Sequence, residues 1–434
     1  MKKLLAYAFT AATLITVNCS TNPVNEITTD IPFNTTKSNI EREATPVSQE
    51  IVSTQAKSNN EFAVKMYEQL SESDKNLFFS PYSITSALAM SAAGAAGETK
   101  KQMLAALQVQ LEGVQFDQAI NTIDQSFMAH SSTTEGITLN VVNSTWLQDG
   151  WDFRIGYLDH LARYYGAGVN LMDFFVKPEE SRRIINTWVA DQTNDKIIDL
   201  LPPGSIDQST AMVLTNAIYF LANWKISFDP ELTKNDYFFL LDKTTTEIPS
   251  MRFVEEGKKV YMQYARKHGA RALDFPYKGE RLAMTVILPD YDSFPSFENT
   301  LSTERLDELI SALHEESLMV SLPKFTFTTG SISLVSALTK LGMIDAFIGG
   351  TADFSGMDGT RQLYISDVFH KAFIAVDEKG TEAAAATGVI TPPSSVDPDE
   401  VIFRVDRPFI FVIRDKTTGT IVFIGKIVNP LLTQ

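Results

Sequence analysis

Apolar positions at Phe62, Val64, Met66, Tyr67 and Leu70 include a helical face, so the pattern predicts a helix from about Asn59, closed by the polar turn Ser71 to Asn76. Ser80-Pro81 then reads as a helix start, with Ile84, Ala87, Leu88 and Ser91 leading to a break at Gly94 and Gly97. A second helix is expected from Glu98 to Leu107, and an amphipathic one from Arg182 to Leu200. Strands are expected at Leu139 to Leu147, Thr210 to Phe220, Leu282 to Leu288 and Leu318 to Phe327. Two more should fill Val401 to Val428, turned by Lys416 to Gly419. Helices crowd the first half and strands the second, with no repeat, which points to one α+β domain.

The N-terminus breaks this pattern. Lys2 and Lys3 precede an apolar run from Leu4 to Val17, too short to span a bilayer, which reads as an export signal over residues 1–18. The single cysteine of the chain, Cys19, falls where cleavage is expected, so no disulfide is available to the domain. The stretch ITVNCS resembles a bacterial lipoprotein processing site, with Cys19 as the acylated residue, although Asn18 replaces the usual small residue; an ordinary secretory signal cut nearby is the alternative. Acyl chains would hold the protein at the cell envelope, an outer-membrane lipoprotein being the expectation. Residues 19–58, rich in Thr, Ser, Asn, Pro and Glu, are expected to form a flexible tether to a domain spanning 59–434.

Across 434 residues, 44% hydrophobic content suits a large core, and a net charge of −16 argues against a nucleic-acid partner. No Gly-x-Ser-x-Gly, His-Glu-x-x-His or phosphate-binding glycine loop occurs, and the five histidines are scattered. Neither catalysis nor a metal or cofactor is therefore expected. One region does ask for a purpose. About thirty residues separate the strand expected to end near Asp377 from the one beginning at Arg407 to Phe409, and they hold EKGTEAAAATG, three prolines and an acidic DPDE.

Several motifs, in order and at matching spacing, give the chain from about Asn59 onward a resemblance to the serpins. They are NLFFSPYSI (76–84), TNAIYF (215–220) with Trp224, LPKF (322–325), ADFSG (352–356), HKAF (370–373), DEKGTEAAAAT (377–387), DRPF (406–409) and GKIVNP (425–430). The resemblance implies three β-sheets surrounded by eight or nine helices, a monomer, and a reactive-centre loop at about 378–407 offered as bait to a protease. A target that forms its acyl-enzyme on the loop would be trapped covalently as the cut loop enters the central sheet. Ser80, Ser83, Asn216 and His370 map onto the polar cluster where the strands part, and Trp224 onto the packing at the insertion end.

The hinge would comprise Glu378, Gly380, Thr381, Glu382, Ala383, Ala384, Ala385, Ala386 and Thr387. An entering strand must bury alternate side chains, so small uncharged residues are required on its inward face. The alanines meet that requirement, Gly380 is a permissive pivot, and Thr381 is the first side chain to turn inward, while Glu378 and Glu382 can stay on the hinge or the solvent side. Family spacing puts the bait bond at Ser394-Ser395, with Ile390, Thr391 or Val396 open because the following segment is long. No Arg or Lys lies between Lys379 and Arg404, which disfavours trypsin-like targets and favours elastase-like or subtilisin-like proteases. A non-inhibitory serpin acting as a binding protein is the alternative.

Overall fold

The computed structural model describes residues 33–130, 137–254, 259–381 and 401–433. An eight-stranded sheet runs in the order Asn34–Thr36, Val169–Met172, Ile137–Gln148, Met212–Asn223, Gly380–Thr381, Ile365–Val376 and Phe325–Thr328, with Ile332–Ser333 also on Ile365–Val376. A ten-stranded sheet packs against it. Ten α-helices and one 3-10 turn occur among the described residues, against the eight or nine expected. The resemblance implies three sheets, and two hydrogen-bonded networks are found. The reason is the strand Val260–Lys267, which pairs with His314–Leu318 along one half and with Ala270–Leu273 along the other, joining two sheets into one.

The helix Pro81–Gly94 starts where the sequence places it, because Ser80 Oγ accepts from Ser83 N and proline occupies the first turn. Its small side chains let it lie close to other backbone: a Cβ on Gly356 would stand 2.7 Å from the carbonyl oxygen of Gly94. The helix expected over 182–200 instead spans Pro178–Gln192, since Asn194 and Asp195 adopt left-handed backbone and end it. The strand expected over 318–327 is two strands, His314–Pro323 and Phe325–Thr328, one in each sheet. Three strands, not two, fill the C-terminal segment: Val401–Arg404, Phe409–Asp415 and Ile421–Ile427. The first lies parallel to His314–Pro323, so the expected loop 378–407 is anchored by 401.

The tether does not extend to 58. Within residues 19–58, strand Asn34–Thr36 pairs with Val169–Leu171, and a helix spanning Gln49–Leu70 has already started. The helix expected from Asn59 is therefore longer at its start: polarity concealed residues 49–58, whose buried side includes Gln55 and Ser58, while Asn59 and Asn60 are bonded to backbone atoms of Ile421 and Gly419 at 2.9 Å. Ahead of it, Arg42 meets Asp124 at 2.6 Å and Glu43 N donates to Arg163 O. Cys19 and the rest of residues 1–32 lie outside the described residues.

The two faces of the eight-stranded sheet have different neighbours. Even-numbered residues of Met212–Asn223 and Ile365–Val376, such as Ile218, Phe220, Ala372 and Ile374, point into the core shared with the ten-stranded sheet. Odd-numbered ones, such as Val213, Ala217 and Phe369, pack with Ile185 and Val189 of the helix Pro178–Gln192.

Candidate functional site

At the centre of the eight-stranded sheet, strands Met212–Asn223 and Ile365–Val376 run parallel and pair directly from Met212 opposite Ile365 to Tyr219 opposite Phe373. Beyond Tyr219 they part, and Gly380–Thr381 sits between them. This segment is antiparallel to both neighbours, Thr381 standing opposite Ala222 on one side and Val376 on the other.

A tight turn delivers the chain there. Asp377 Oδ1 accepts from the amides of Lys379 and Gly380, at 2.9 and 3.2 Å, and Asp377 N donates to Gly380 O. Gly380 is required by proximity, because a Cβ would lie 2.0 Å from the carbonyl oxygen of Ala222. Trp224, stacked on Tyr277 at 4.6 Å, donates its indole N–H to Asp377 O and its backbone N–H to Lys379 O. The Thr381 side chain is fully buried, and its hydroxyl shares a 2.8 Å hydrogen bond with that of Tyr277. Burial pushes the Tyr277 phenol well above its ordinary value, so it stays neutral. Glu378 turns outward to Lys324 at 2.8 Å and Thr233 at 2.9 Å; burial works to raise its carboxyl, but these bonds outweigh it and hold the group below the usual range.

A second cluster lies lower on the same seam. Asn143, Asn216 and His370 are cross-strand neighbours on three adjacent strands. His370 is fully buried and burial drives its imidazole down to about 3, against a smaller upward pull from its bond to Asn216. The neutral ring must therefore accept at Nε2 from Ser80 N, 3.3 Å away, and donate from Nδ1 to Asn216 Oδ1. Asn216 Nδ2 then donates to Ser83 Oγ and Asn143 Oδ1, while Asn143 Nδ2 returns to Ser83 O at 3.1 Å. Ser80 Oγ closes the set on Val422 O at 2.7 Å.

The structure thus brings Ser80, Ser83, Asn216 and His370 together, and places Trp224 with Glu378, Gly380 and Thr381 at the other site. Sequence reasoning passed over Asn143 and Tyr277. An asparagine inside an apolar strand is a usable signal, since the residue is depleted there. A buried tyrosine carries none. Glu382 to Thr387, Ile390, Thr391, Ser394, Ser395 and Val396 lie outside the described residues. The other described histidines, His160, His268 and His314, stand beside single carboxylates, and no group able to hold a metal ion occurs among the described residues.

This geometry defines a protein whose central sheet holds a short strand between the parted ends of two parallel neighbours. Comparison with known proteins agrees with that class. The model of the serpin family, described as serine protease inhibitor, matches residues 57–430, and the chain belongs to that family. It is 36% identical over 380 residues to an uncharacterised serpin-like protein of Methanosarcina acetivorans, covering 86% of each chain. It is 37% identical to the leukocyte elastase inhibitor of Bos taurus, covering 86% of this chain and 98% of that one. Among solved structures, the thermophilic serpin tengpin in its native state superposes with a TM-score of 0.78 at 28% identity, over 91% of this chain and 97% of the other.

Proposed function

We propose that the protein is an irreversible, single-use inhibitor of serine endopeptidases, and by the same acyl chemistry of cysteine endopeptidases. The observation that carries this reading is the seating of Gly380–Thr381 antiparallel to both strands of a parallel seam. A strand continuing from Thr381 in that register would set residue 383 opposite Phe220 and Ile374, 385 opposite Ile218 and Ala372, and 387 opposite Asn216 and His370, all on the core face. Ala383, Ala385 and Thr387 are the residues that would turn inward, and Thr387 would bring a hydroxyl to the polar cluster. Glu382 would face the other side, opposite Leu221 and Ala375, neither of which is fully buried. One parallel ladder would give way to two antiparallel ones, each added bond contributing about 0.5 to 1.5 kcal/mol.

In this mechanism the protease serine Oγ attacks the carbonyl carbon of the bait residue and expels the amine of the next residue. The acyl ester then travels with the inserting strand before water can hydrolyse it. Ser394-Ser395 is the assigned bait bond, with Ile390, Thr391 and Val396 as alternatives. Small and aliphatic residues throughout this stretch favour elastase-like or subtilisin-like targets, in keeping with the name of the bovine relative. The protein would act as a monomer, exported and held to the bacterial envelope by acylated Cys19. Incubation with elastase, and separately subtilisin, should give a band at the summed mass on a denaturing gel, with mass spectrometry identifying the cut bond. Cleavage without a complex across a panel of serine and cysteine proteases would make it a non-inhibitory binding protein instead.

A further inference from the structure

We propose that a cavity beside the insertion end binds a small amphiphilic anion, one acidic head group on an apolar body. The cavity has a volume of about 450 Å³, within the range of about 300–1,000 Å³ typical of ligand sites. Buried Trp224, Phe253 and Phe275 contribute apolar wall. At its edge, Ile226 and Tyr261 are left 42% and 70% exposed, an uncovered apolar rim that a ligand body would cover.

Arg414 supplies the head-group contact. It lines the cavity yet is only 7% exposed, and two of its three nitrogens are committed: Nε to Thr285 Oγ1 at 2.9 Å and Nη2 to Asp274 Oδ2 at 2.6 Å. Nη1, with two N–H groups, has no acceptor among the described residues. Those two N–H groups are left to solvent or to a ligand in the cavity, and a planar guanidinium edge suits a carboxylate or sulfonate. Nearby carboxylates do not compete for it. Thr285 and Arg414 occupy both oxygens of Asp274, and Lys225 holds Glu280 at 2.7 Å. Glu315 and Lys416, without ion-pair partners among the described residues, offset one another in the lining, so head-group selection rests on Arg414.

Dodecanoate is a suitable probe, titrated into the full chain by calorimetry below its micellar concentration, with dodecanol as the uncharged control. One saturable site is expected, weakened at least tenfold by Leu313→Trp, which adds bulk to the cavity wall and leaves Arg414 and Asp274 unaltered in sequence, and similarly by Arg414→Lys. The unchanged thermal midpoint of Leu313→Trp would establish that it folds. Absence of saturable binding, or binding indifferent to Leu313→Trp, overturns the site. Dodecanol binding as tightly as dodecanoate overturns the assignment of an anion.

Discussion

At the insertion end the two central strands are held apart, while six register steps lower, about 20 Å along the sheet, they are held together. The upper contact is made of backbone turns, a missing Cβ at Gly380, stacked rings and one hydroxyl pair. The lower one is a polar chain in which the side-chain donors of Asn143, Asn216 and His370 each meet an acceptor. Apolar packing of the upper kind tolerates any entering side chain of the right size, and rejects others by volume and charge. A satisfied polar network resists opening until equivalent bonds are offered. In the proposed mechanism the upper site would set what can enter, and the lower one would set when.

The largest break in this comparison should come from Thr381→Arg. A guanidinium cannot replace a fully buried threonine beside Tyr277, so the loop should be cut as a substrate and the covalent band should fall by about a hundredfold or more, from several kcal/mol of uncompensated burial. Trapping at the parent level would show that entry is not selected there. Next, exchanging Glu382 and Ala383 keeps composition but turns the carboxylate to the core face. The double variant should lose most of its complex, with roughly ten- to a hundredfold more loop cut per protease trapped, equivalent to a few kcal/mol; equal trapping would refute the register.

The smallest effect concerns the lower cluster. His370 titrates near 3 when folded against an ordinary 6.5, so the unfolded chain binds its proton first. Its neutral form imposes no proton penalty above pH 6.5. As pH falls from there toward 3, stability should decline by up to about 1.4 kcal/mol per pH unit. Denaturant unfolding from pH 7 to 5 should show this slope, reduced in His370→Gln; an identical slope in that variant would remove His370 from the account.

Both sites were legible where their requirements are local. At the lower one Ser80-Pro81 announces a helix cap, and at the upper one Gly380 announces a close approach of backbone. The segment before Asn59 was not, because its residues hold structure at a distance: Arg42 bonds to a helix 82 positions on, and the amide of Val47 to Thr122 of the same helix, 75 positions on. Composition reads such residues as solvated. The single strand expected over 318–327 failed for a related reason, since apolar alternation persists across Pro323 while the chain changes sheets.

The pairing of Val401–Arg404 with the ten-stranded sheet also sets a length limit. Filling the seam down to Met212 would take the chain to residue 391 in the observed register, leaving ten residue steps to reach Val401. Fully extended, those steps span about 33 to 36 Å, barely the length of the strand just laid down. An uncut loop would be drawn taut between two sheets, like a rope shorter than the drop, and a single scission would supply the slack.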